Sequence, residues 1–146
     1  LRQGDDATII AYGSLAQNAL LAAEMLATEG LSVQVIDARF CKPLDADMLA
    51  RLLTAGRPVF TLEDHHVING FGAAVLEHAA TNGLPTECLT LLGMPDRLIP
   101  HMTRAQQLEE VGLHPRGIAR RVLDRINSPQ EPSIDSASIP ASFPSR

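Results

Sequence analysis

Short apolar runs alternate with longer stretches of helical periodicity along this chain. The first run, Ala7-Thr8-Ile9-Ile10-Ala11, is long enough for a buried strand and too short for a buried helix. Ser14-Leu15-Ala16-Gln17 then has the form of a capping box, with Ser14 expected to hold the first free amides of a helix. Leu15, Ala19, Ala22 and Leu26 recur at helical spacing, which predicts a helix over 15–29 closed by Gly30. Over 31–36 Val33 and Val35 alternate with Ser32 and Gln34, the pattern of a strand at a sheet edge. Segment 37–43 reads as loop, because Pro43 disfavours helix in the residue before it. Asp45 fits an N-cap between Leu44 and Leu49, which hold the positions of a hydrophobic staple. Met48, Leu49, Leu52 and Leu53 form the buried stripe of that short helix, which Gly56 stops.

The rest of the chain is organised around 59–83. Val59-Phe60-Thr61-Leu62 reads as a buried strand that ends at four successive ionisable residues, Glu63, Asp64, His65 and His66. Asn69-Gly70-Phe71-Gly72 supplies a flexible turn, and 73–80 reads as a helix ended by Gly83. Segment 87–92 predicts a fourth strand. Thr103-Arg104-Ala105-Gln106 is another capping box, for a helix ending at Gly112. Pro115 suits the first position of a last helix, with Ile118, Val122 and Ile126 on one face and Arg116, Arg120, Arg121 and Arg125 on its wet face.

Strands and helices therefore alternate, which means an α/β fold: a parallel or mostly parallel sheet covered on both faces. Right-handed crossovers, with one reversal after the second strand, give the strand order two-one-three-four. The switch point falls between strands one and three. Its crevice is lined by Gly13 and Ser14 on one side and by Glu63 to His66 on the other, and a site in such a sheet belongs there. From Ser128 the chain turns to Ser, Pro and Ala, which cannot bury enough apolar surface to offset chain entropy. The expected organisation is one domain over 1–127 and a disordered tail over 128–146.

Composition narrows the chemistry. With 146 residues, 45% hydrophobic and 20% charged, the chain suits one globular domain. Aromatics are 3% and Trp is absent, so the core must be aliphatic. A net charge of -5 without a basic run argues against nucleic acid. Two cysteines and no signal, transmembrane or lipidation pattern suggest a reduced, cytoplasmic setting. Gly70-Phe71-Gly72 offers two glycines of a dinucleotide fingerprint, but Val75 stands where the third belongs. Adjacent His65 and His66 in extended chain point to opposite sides, against a shared metal. Acid–base work by His65, His66 or Glu63 at the switch point is the weak catalytic candidate, and no nucleophile pairs with them. Cys41, between Arg39 and Lys42, and Cys88, in the fourth strand, read as small buried side chains. Asp96 and Arg97 suggest a local surface pair.

Four phrases in order carry a resemblance: ATIIAYG at 7–13, DARFCKPLD at 37–45, the segment from Leu62-Glu63 to Gly70-Phe71-Gly72, and Met94-Pro95-Asp96-Arg97. Together they resemble the C-terminal domain of 1-deoxy-D-xylulose-5-phosphate synthases, within the transketolase family. The second phrase is the most specific, since transketolases and dehydrogenase beta subunits vary it more. The resemblance implies a three-layer α/β/α fold with a mostly parallel sheet of four to five strands, one antiparallel strand preceding ATIIAYG. It implies a magnesium- and thiamine-diphosphate-dependent homodimeric enzyme joining pyruvate to glyceraldehyde 3-phosphate for isoprenoid precursor synthesis. In such enzymes the cofactor and metal are held by the N-terminal and middle domains, which would be this domain's partners. This chain alone is then expected to be inactive and to hold neither, with Asp64, His65, His66, Asn69, Gly70 and Phe71 as interface candidates. Another transketolase-family member or a free-standing α/β binding module are the alternatives.

Overall fold

A computed structural model describes residues 1–128. Four strands, β1 (Ala7–Tyr12), β2 (Val33–Asp37), β3 (Val59–His66) and β4 (Leu89–Met94), form one sheet in the order β2-β1-β3-β4. All three pairings are parallel. The order and the switch point between β1 and β3 are those the alternation of elements predicts. β2 lies at an edge, and Arg2 pairs with Val35 in a single antiparallel bridge, their amides and carbonyls exchanging bonds of 3.1 and 3.0 Å. That bridge stands where the resemblance implies a fifth strand.

Period-two alternation sorts the strand side chains between two cores. Ala7, Ile9, Ala11, Val33, Val35, Phe60 and Leu62 face α1 (Ala16–Thr28) and α5 (Pro115–Asn127), which contribute Ala19, Ala22, Leu26, Ile118 and Val122. On the other face Ile10 and Val59 meet α2 (Ala46–Leu53) and α3 (Phe71–Thr81) through Leu49, Leu53, Val75 and Ala79. The result is three layers. Each large aliphatic side chain buried this way contributes about 1.5–3 kcal/mol, so truncating Ile9 or Ile10 would open a costly cavity in one layer. α4 (Arg104–Glu110) buries no residue fully and is set by its capping box, Thr103 and Gln106 bonding each other's backbone. Among the described residues no helix is long and apolar enough to cross a membrane.

Several boundaries differ from the sequence reading. β3 continues through Glu63, Asp64, His65 and His66, which are strand and not loop, because it pairs on to Met94 across a register irregularity. β4 begins at Leu89, leaving Cys88 in the turn before it. Ser14 caps nothing. It lies in a 3₁₀ turn, Gly13–Leu15, and α1 begins after it without a side-chain cap. Asp45 does cap α2, accepting from the Met48 amide at 2.9 Å. The tail expected from Ser128 onward lies, beyond Ser128 itself, outside the described residues.

Candidate functional site at the carboxyl edge of the sheet

At the end of β3, Glu63 is wholly buried on the α3 side of the sheet. A buried carboxylate is tolerated only with its lone pairs occupied. Here the first amides of α3 occupy them: Phe71 donates to Oε2 at 2.6 Å and Gly72 to Oε1 at 2.8 Å. The helix dipole adds to this, since the carboxylate sits at its positive end. Gly70, the N-cap residue, has no side chain to offer, so the cap comes from the neighbouring strand. A Cβ at Gly70 would overlap the Glu63 carboxylate, and one at Gly72 would lie 2.5 Å from Thr61 Oγ1. The two glycines are there for close approach. Asn69 turns the chain into this cap at a φ of 60°, a left-handed conformation that Asn tolerates.

One residue on, Asp64 faces outward into a polar clasp. Both terminal nitrogens of the Arg104 guanidinium reach its carboxylate, Nη1 at 2.7 Å, and Ser14 Oγ donates to it at 3.0 Å. The clasp thus joins the turn after β1, the end of β3 and the start of α4. Competition from Asp64 explains why Ser14 leaves its own helix uncapped. Tyr12, the last residue of β1, stacks on Phe71 with centroids 5.2 Å apart and lies 6.0 Å from the His65 ring. His66 points the other way, its Nδ1 3.8 Å from Asp96 Oδ1. The predicted Asp96–Arg97 pair is therefore not made: Arg97 reaches Glu110 at 2.9 Å.

Of the sequence candidates, His65, His66 and Asn69 are exposed, Asp64 and Gly70 half-buried, and Glu63 and Phe71 enclosed. Glu63 is closed to solvent with both oxygens engaged, so it serves as a cap where acid–base work was expected. Phe71 turns inward, under Tyr12, and offers no surface to a partner. Sequence reasoning missed Arg104, hidden inside a capping-box phrase that suggested only a local role, and Tyr12, which ends an apolar run. Among the described residues no three His, Cys, Asp or Glu side chains gather as a metal site. Cys41 is half-buried against the second core. Cys88 is too, and burial pushes its thiol pKa up, above the ordinary range, while it donates to the Leu53 carbonyl at 3.5 Å.

The same end of the sheet carries three exposed apolar loop residues. Phe40 follows β2, Ile68 follows β3 and Leu98 follows β4, at 67, 55 and 93% exposure. Because all four strands run parallel, these loops leave one end of the sheet.

The family model for the transketolase C-terminal domain matches residues 1–118. The chain belongs to that family. Its relatives include the 1-deoxy-D-xylulose-5-phosphate synthase of Geobacillus thermodenitrificans, 42% identical over 84% of this chain and 19% of that protein. The synthase of Synechococcus sp. (strain CC9605) is 41% identical over 97% of this chain and 22% of that protein. Among solved structures, a split-gene transketolase in an inactive beta4 tetramer superposes with a TM-score of 0.76. It is 32% identical and covers 86% of this chain and 41% of its own. This transketolase C-terminal domain spans about a fifth of the length of the curated synthases it matches.

Proposed function

We propose that this domain is the C-terminal, non-catalytic part of a 1-deoxy-D-xylulose-5-phosphate synthase, and that its carboxyl edge packs against the other domains. The parent enzyme would be a transferase of the transketolase type, joining pyruvate and glyceraldehyde 3-phosphate with loss of carbon dioxide. The observation that carries the packing role is that exposed Phe40, Ile68 and Leu98 all lie in loops at the carboxyl end of the sheet, the end that also holds His65, His66 and the Asp64 clasp. Exposed apolar side chains set among polar groups at one end of a sheet suit an interdomain or subunit contact.

Thiamine diphosphate would supply the parent enzyme with a stabilised carbanion. The residues at this switch point do not fit it. The amides at the start of α3, which a phosphate would need, are already taken by Glu63. Asp64, the nearest carboxylate for magnesium, is bound by Arg104. The chain's part is positional, and it holds no reacting atom.

Replacing His65 and His66 together by Ala in the full-length enzyme should weaken activity or dimerisation. The same change in this chain alone should leave its melting temperature within about 2 °C, since both side chains are exposed. A collapse of the isolated domain would assign the pair to folding and remove the interface.

A further inference from the structure

Along the first turns of α5, a groove of about 460 Å³ is lined by Gly112, His114, Arg116, Gly117, Arg120, Arg121 and Asp124. Three guanidiniums and one imidazole share it with a single carboxylate, although the whole chain carries a net charge of -5. Arg116 makes no ion pair or hydrogen bond among the described residues. Arg120 reaches Asp124 only at 3.9 Å, between side chains that are 84 and 69% exposed. Arg121 is anchored, donating to the Val111 carbonyl at 3.3 Å. Glycine is required for close approach at Gly117, where a Cβ would lie 2.5 Å from the Gly112 carbonyl oxygen.

His114 adds a polar side chain to the lining. Its Nδ1 is buried without a hydrogen-bond partner. Gly112, at a φ of +70°, ends the preceding helix and turns the chain toward α5. The first turn of α5 holds no acidic residue, and no side chain caps it.

We propose that this groove is a binding site for a phosphate-bearing anion, with Arg116, Arg120 and Arg121 as donors and His114 beside them. Forked guanidiniums match the oxygens of a phosphate, and the volume admits a small phosphorylated molecule as well as the free ion. The groove shares no residue with the Asp64 clasp or with Phe40, Ile68 and Leu98, so it stands whether or not the packing role does.

The test is an amide chemical-shift titration of the whole chain with inorganic phosphate, against sodium chloride at matched ionic strength. Saturable shifts centred on Gly112, Arg116 and Gly117 are expected, with a Kd of about 1 mM. Arg116→Gln with Arg120→Gln should weaken binding at least about tenfold while leaving the remaining spectrum in place. Asp124→Asn, which removes the one opposing charge, should tighten it several-fold. Glycerol phosphate in a parallel titration separates the sources: tighter binding than inorganic phosphate assigns a phosphorylated small molecule, and equal binding the free ion. Shifts that merely follow chloride, or phosphate affinity unmoved by the arginine and Asp124 variants, would overturn the proposal.

Discussion

A carboxyl side chain with no exposed surface destabilises a fold unless its oxygens are hydrogen-bonded, and each oxygen of Glu63 accepts from a backbone amide. Charge and geometry act together here, because the amides belong to the positive end of α3. Glu63→Gln keeps the shape but turns an N–H₂ group toward one of those amide donors. A loss of about 2–3 kcal/mol is expected, read from urea unfolding of this chain. A change below about 0.5 kcal/mol would mean that a bridging water or a small shift of Gly70 relieves the clash. Glu63 could be placed at a strand end from sequence alone. Its partner amides could not, since nothing local says that a helix eight residues on will turn its first N–H groups back to that carboxylate.

Between elements, the clasp of Ser14, Asp64 and Arg104 ties β1, β3 and α4 at one edge, with residues 95–103 spanning the gap from β4 to α4. Arg104 is about half exposed and Asp64 less so, so the pair is partly screened. Double-mutant analysis of Asp64→Ala and Arg104→Ala should return a coupling of about 0.5–1 kcal/mol that shrinks in 1 M salt. Either single change should speed amide exchange over 95–103. Exchange unaltered there would show that the loop is held by its own packing. Elements whose signals are local were readable: the Asp45 cap, the Thr103 capping box, Pro115 at the head of α5 and the alternation in β2 all lie where the residues point. Ser14 was misread because its capping-box phrase is equally local, and a carboxylate fifty residues away in sequence outcompetes it. The polar end of β3 was misread because pairing with β4 outweighs the weak strand preference of Asp64 and the histidines.

For the molecule as a whole, parallel order and handedness followed from the alternation of elements, while the two-sided layering rests on which strand residues face which helices. The transketolase membership was carried by phrases rather than by any reactive constellation, which fits a domain whose surface matters more than its chemistry. It follows that this chain alone should bind neither thiamine diphosphate nor magnesium at the switch point. A diphosphate needs free amides at a helix start backed by cations, and magnesium needs two or more unengaged oxygens. At α3 the amides are consumed by Glu63, and a second anion placed there would face that carboxylate at close range in a dry setting, where repulsion is strong. Asp64 has its charge answered by Arg104, and Ser14 donates a further bond to it. Calorimetry of the chain with cofactor and magnesium together should therefore show no binding tighter than about 1 mM attributable to this edge, worth roughly 4 kcal/mol. The arginine groove on α5 could register the diphosphate independently, so the measurement is repeated with Arg116 and Arg120 both changed to Gln. Affinity that persists in that variant, and disappears with Glu63→Gln or Asp64→Ala, would make the switch point a cofactor site and overturn the proposed interdomain contact.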